Sequence, residues 1–234
     1  MSKLKEGTFL YQVTHFTVRQ VVLMIVGHIV LAFGAVAFAF SALGSHPFYT
    51  MIYSAEMVLL PFSPQLTYAN LMVALNIICF IIQCLCARRY IGIGTLFNAF
   101  LYPYIYDGCA RLLDLMHLPT TLAMRIVLLA VGTVLLALGI SLYQAADAGV
   151  APYDTMAFVI QKYSHLPFFW SRMILDGTCL AVTAIILLSK GVSLIDAGFA
   201  TIGVGTLISV FCTGPFIRFF DRTISYKLAG RTDL

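Results

Sequence analysis

The chain has 234 residues, of which 61% are apolar and only 10% charged, and its mean hydropathy is +0.94. Soluble domains carry about 25% charged residues, so the composition excludes a water-soluble globular protein and points to an all-α polytopic membrane protein whose main partner is the lipid bilayer. The net charge of +4 does not signal nucleic acid: the basic residues sit at the ends of apolar runs, where they set orientation, and no basic patch with interleaved aromatics occurs.

The first residues, Met1 to Glu6, are basic, but the first apolar run begins only near Val18. No small-residue cleavage site follows a short apolar core, so a retained first helix is expected. A span is predicted over 20–43, stopped by Gly44, since glycine just past a helix end takes a left-handed conformation without strain. Pro47 then opens a short helix over 47–60, proline being suited to a first turn, and Pro61 and Pro64 end it. At about 20 Å it falls short of the roughly 30 Å hydrocarbon core. Spans over 66–87, ending at Arg88-Arg89, and over 91–113 follow, and a polar connection with Asp114 and His117 closes this half.

The pattern then restarts. A span follows Arg125 and ends near 146, before Gly149. A short helix is predicted from Pro152 over 152–163, then spans over 167–189 and 193–217, with a polar tail from Asp221 placed outside the membrane. At an offset of 105 Gly27, Ala32, Gly34, Gly44, Pro47, Thr50 and Met51 match Gly132, Ala137, Gly139, Gly149, Pro152, Thr155 and Met156. Later the offset becomes 111, and Gly92-Ile93-Gly94-Thr95-Leu96 matches Gly203-Val204-Gly205-Thr206-Leu207. The chain reads as an internal duplication, with a first membrane repeat over 1–118 and a second over 119–234.

With the N-terminus inside and both short helices dipping in and returning, eleven of the fourteen Lys and Arg fall on the cytoplasmic side, leaving Arg111, Arg125 and Lys190 outside. That obeys the positive-inside rule. An eight-span arrangement satisfies it equally, but the short helices carry Glu56, Asp154 and Gln161. About six spans and two half-inserted helices are therefore expected, and three spans per repeat make the halves inverted.

Ionisable groups at membrane depth are costly and mark function by default. Asp154, in the first turn after Pro152, can line a cavity and bind a cation or proton, or serve as a helix-start acid; its partner in the other half is Tyr49. Arg172 and Asp176 share one helix face at i, i+4, as an intrahelical ion pair or as a guanidinium for an anionic group. Glu56 matches Gln161 on the other short helix. Asp154, Glu56, Arg172, Asp176, Tyr49 and Tyr153 form the candidate solute- or ion-binding set, and Gly44, Pro47, Gly149 and Pro152 the structural breaks. His28, Asn70, Asn76, Gln83, Asn98 and Gln144 are expected to tie helices together by hydrogen bonds. Asp107 and Asp196 lie near predicted ends.

The six cysteines lie inside apolar runs and read as buried free thiols. No metal-ligand spacing or cofactor motif is present, and the Gly-x-Gly-Thr pairs lack the lysine of a phosphate loop, so they read as close-packing sites. The Tyr-Asp pairs lack the Gly-x-Gly-Asp of intramembrane aspartyl proteases, and no catalytic constellation points to an enzyme.

Gly149-Val-Ala-Pro152-Tyr153-Asp154, Arg172-Met-Ile-Leu-Asp176 and Gly203-Val-Gly205-Thr206 followed by Gly214-Pro215-Phe-Ile217 resemble the YczE/YyaS/YitT group of bacterial membrane proteins. That pattern has Trp where Tyr153 stands, and the first half has Asn70 where the repeat alignment calls for an arginine. The resemblance implies a multi-pass protein of the bacterial cytoplasmic membrane and implies no activity. Two functions are expected from the duplicated architecture: a transporter or permease of a small solute, with its site between the repeats, or a non-transporting binding subunit or accessory factor acting with a protein partner or as a homo-oligomer.

Overall fold

A computed structural model of the chain describes residues 17–119, 121–195, 197–198 and 201–230. The basic start, Asp196 and Arg231 lie outside the described residues. Regular structure among the described residues is helical throughout. Eight main helices follow one another: α1 (Val18–Phe40), α2 (Pro47–Leu59), α3 (Tyr68–Cys86), α4 (Tyr102–Leu115), α5 (Leu122–Ala145), α6 (Pro152–Ser164), α7 (Phe168–Ser189) and α8 (Val204–Phe220). Five are long and apolar enough to cross a membrane: α1, α3, α5, α7 and α8 with its extension to Ala229.

The helix boundaries follow local chemistry. Thr17 caps α1 with its side chain and Gln20 answers it, in a capping box. Pro47 and Pro152 open α2 and α6 as expected, and neither helix exceeds 13 residues. The run predicted over 91–113 is not one regular helix. It begins with the short turn Ile93–Leu96, passes through a π-helical stretch, Phe97–Leu101, and becomes α-helical only in α4. Pro103 in the first turn of α4 has no N–H to return to the preceding turn, which accounts for the slipped hydrogen-bond register there.

The last span also differs from the prediction over 193–217. Helix starts only at Val204, after Gly203, and continues past Asp221 through a second π-helical stretch, Asp221–Ser225, to Ala229. Tertiary contacts hold this extension. Ser141 donates to the Asp221 carboxylate at 2.6 Å, and Arg19 reaches the carbonyls of Lys227, at 2.9 Å, and Leu228 at the helix end. A cation there complements the negative end of the helix dipole.

The centre of the bundle is the seam between α1 and α5. Along it Gly27 meets Tyr143, Leu31 meets Gly139, Gly34 meets Leu136 and Phe38 meets Gly132, so the two helices run antiparallel. Backbone lies against backbone: a Cβ on Gly34 would sit 2.3 Å from the Leu136 nitrogen, and one on Gly139 would sit 2.3 Å from the Leu31 nitrogen. Small residues are what permit so close an approach. Each short helix then packs across the seam, α2 on α7 and α6 on α3.

The two Gly-x-Gly-Thr turns are exchanged in the same crosswise manner. The Gly94 N–H donates to the Ala148 carbonyl at 2.7 Å, and the Gly205 N–H donates to the Leu43 carbonyl at 2.8 Å. Gly149, at φ +108°, and Gly44, at φ +121°, occupy backbone conformations that side chains resist. They also leave no room: a Cβ on Gly149 would sit 2.6 Å from the Gly92 nitrogen, and one on Gly44 would sit 2.6 Å from the Thr206 nitrogen. Thr95 fixes one turn by donating to the Val150 carbonyl at 2.9 Å.

Candidate functional site

The two breaks place the starts of α2 and α6 against each other in the interior. Phe48 lies with its ring 4.2 Å from that of Tyr153, centroid to centroid. A cavity of about 40 Å³ opens beside them, its wall drawn from every helix from α1 to α7 and from the π-helical stretch. Its lining includes His46, Tyr49, Asn98, Tyr143, Asp154 and Arg172.

Arg172, in the second turn of α7, is the centre of the charged part of this wall. Its Nη1 donates to Asp154 at 2.6 Å, and its Nε donates to Asp176 at 3.3 Å. Its Nη2 faces the His46 Nε2 at 3.3 Å. The guanidinium also lies over the Tyr153 ring, 5.1 Å from its centre, a cation–π placement. The far oxygen of each carboxylate is held by a tyrosine: Tyr143 donates to Asp154 at 2.5 Å and Tyr153 donates to Asp176 at 2.6 Å. Arginine suits this centre because a planar fork serves several acceptors in fixed directions, which an ammonium group cannot do. Charges taken from water need such compensation.

The set expected from sequence divides. Asp154, Arg172, Asp176 and Tyr153 come together in one network. Tyr49 lines the same cavity and its hydroxyl pairs with that of Tyr102 at 2.8 Å. Glu56 does not join them. It lies near the end of α2, and its carboxylate accepts from the Tyr68 N–H at 2.7 Å, at the first turn of α3, whose own cap residue Thr67 makes no side-chain bond. Glu56 is thus a cap supplied by another helix. Changing Glu56 to Ala is expected to lower stability by about 1 kcal/mol, and Glu56→Gln, which keeps the accepting oxygen, should lose much less; a denaturation series in detergent reads the difference.

His46, Tyr143 and Tyr102 were not singled out by sequence. His46 precedes Pro47 and ends up as the N-cap of α2, while Tyr143 belongs to the α1–α5 seam. A polar residue next to a helix break was the only available signal for His46, and Tyr143 gave none. The polar residues expected to tie helices together behave unevenly. Gln83 reaches the Val150 carbonyl at 3.5 Å, and Asn70 meets Tyr104 at 3.2 Å. His28 instead bonds within its own helix, to the Met24 carbonyl at 2.7 Å.

The order of buried and exposed positions over 73–89 in and after α3 repeats at 173–189 in α7, which sets Met72 against Arg172, Asn76 against Asp176 and Cys79 against Cys179.

The bundle thus combines five helices long and apolar enough to cross a membrane with a partly buried guanidinium held between two carboxylates, the architecture of a helical membrane protein. The chain belongs to a family of unknown function, DUF6198, whose model matches residues 18–222. No curated protein and no solved structure matches it.

Proposed function

We propose that this chain is a carrier of a small solute, built from two inverted repeats, 1–118 and 119–234, with its site in the cavity between them. Reversed pairing along the α1–α5 seam supports the inversion, because helices that match at an offset of 105 run in opposite directions. The exchanged Gly-x-Gly-Thr turns support it a second time. In this arrangement the π-interrupted run ending in α4 is the sixth span. The likeness of the Gly149–Asp154, Arg172–Asp176 and Gly203–Ile217 stretches to the YczE/YyaS/YitT group belongs to the same proposal, as does a bacterial cytoplasmic membrane with both termini inside.

One observation carries the transport function: α2 and α6 both start at the cavity, with Phe48 against Tyr153. Discontinuous helices that meet at mid-depth around a polar site recur in secondary carriers, where one repeat rocks against the other. The step from architecture to transport is an analogy of fold.

The test needs no knowledge of the solute. With the six native cysteines replaced by serine or alanine, Ile140→Cys places a thiol in the cavity wall. In oriented vesicles, membrane-impermeant thiol reagents are expected to label it from either side, at rates that respond oppositely to conditions favouring one conformation. Labelling from one side only, or from neither, overturns alternating access and favours a static binding subunit.

A further inference from the structure

We infer that the solute, on the carrier function proposed above, is a small monovalent cation of the ammonium class. The charge balance is the first ground. Arg172 brings one positive charge to the network, and Asp154 and Asp176 bring two negative ones. His46 adds none, because its Nε2 faces the Arg172 N–H at 3.3 Å and can accept from it only while the ring is neutral. A protonated ring would set N–H against N–H. One negative charge is left without a partner among the described residues. An uncompensated charge inside a membrane bundle is costly, and one bound monovalent cation cancels it.

The wall specifies the kind of cation. Phe48, Tyr49, Tyr102, Tyr143 and Tyr153 all line the cavity, and aromatic faces attract ammonium groups through their quadrupoles. Asn98 lines it too, is 6% exposed, and makes no side-chain hydrogen bond among the described residues. Its amide opens on the cavity and is free to bond a ligand there. An N–H from the ligand to its carbonyl oxygen uses that open acceptor; a metal ion would coordinate the same oxygen, so the aromatic wall is what favours the ammonium class. Size is the third ground. A cavity of about 40 Å³, room for about three waters, admits ammonium or methylammonium and not a sugar or nucleoside.

The experiment is thermal unfolding of the purified full chain in detergent, with N-methylglucamine chloride holding ionic strength constant. Ammonium or methylammonium chloride is expected to raise the melting temperature in a saturable way, since a ligand bound only by the folded state stabilises it. Sodium and potassium should not. Asn98→Leu should weaken the ammonium effect about tenfold, the equivalent of one hydrogen bond, while its melting temperature without ligand stays near that of the parent. Asn98→Gln, which keeps an amide in place, should retain measurable binding and serves if the leucine variant fails to fold. Asp154→Asn should abolish the effect.

Equal stabilisation by sodium or potassium, or an Asn98→Leu variant with undiminished response, overturns the ammonium assignment. So does a protein that no cation stabilises and only acidification does, because a proton then cancels the charge. None of these outcomes alters the two-sided labelling of Ile140→Cys. Failure of the ligand class and failure of the carrier function are therefore told apart.

Discussion

Arg172→Met is expected to destabilise the protein by about 2–4 kcal/mol, somewhat less than breaking a fully buried ion pair from one side, because the side chain is 23% exposed to the cavity. The side chain sits in the cavity wall and serves three acceptors at once, Asp154, Asp176 and His46. Its loss leaves two carboxylates with only the hydroxyls of Tyr143 and Tyr153. Arg172→Lys should recover little, because one ammonium cannot reach in all three directions. The decisive companion is the triple variant Arg172→Met, Asp154→Asn, Asp176→Asn. Removing every charge removes the unpaired carboxylates, so this variant should regain most of the lost stability. Chemical denaturation in a mild detergent measures all three. A single Arg172→Met variant as stable as the parent would show that water, and not the guanidinium, compensates the two acids.

Gly34→Ala and Gly139→Ala should be comparably damaging, about 3 kcal/mol or loss of the folded form, for a steric reason. In each case the new Cβ meets backbone nitrogen at 2.3 Å, and backbone cannot rotate away as a side chain would. The whole α1–α5 seam must part, with its neighbours losing contact along it. Gly108→Ala and Gly177→Ala form the control. Both lie within helices, in α4 and α7, and a Cβ at either meets nothing within 4 Å. Relief of backbone entropy should stabilise these variants by roughly 0.5–1 kcal/mol. Size-exclusion profiles and melting curves of the four variants test the contrast. Tolerance at Gly34 and Gly139 would mean that the seam is looser than its geometry requires.

Much of this architecture was legible in the chain. Apolar runs marked the long helices, and Gly44, Pro47, Gly149 and Pro152 marked the breaks, because helix ends answer to a residue's own backbone preferences. The Arg172–Asp176 contact was equally accessible, since a spacing of four residues brings side chains together on any helix. The run over 91–113 was less so. Its π-helical stretch depends on how Pro103 is accommodated next to a glycine turn bound to Ala148, and hydropathy does not register either effect. The late start of the final helix at Val204 has a similar origin, since Gly203 and Gly205 are committed to Leu43 and Gly44.

Sequence by itself determined that this protein is helical, that its helices suit a bilayer, where they break, and which few charges enter the interior. Those properties follow from composition and from interactions within a few residues. Only the tertiary structure decided that Asp154 meets Arg172, that Tyr143 and His46 complete the network, that Asn98 faces the cavity, and that Glu56 leaves the site to cap α3. Each of these depends on the rotation of a helix about its axis and on which helix lies beside it. The close glycine contacts of the α1–α5 seam, and the turns exchanged across it, hold the helices that carry these groups.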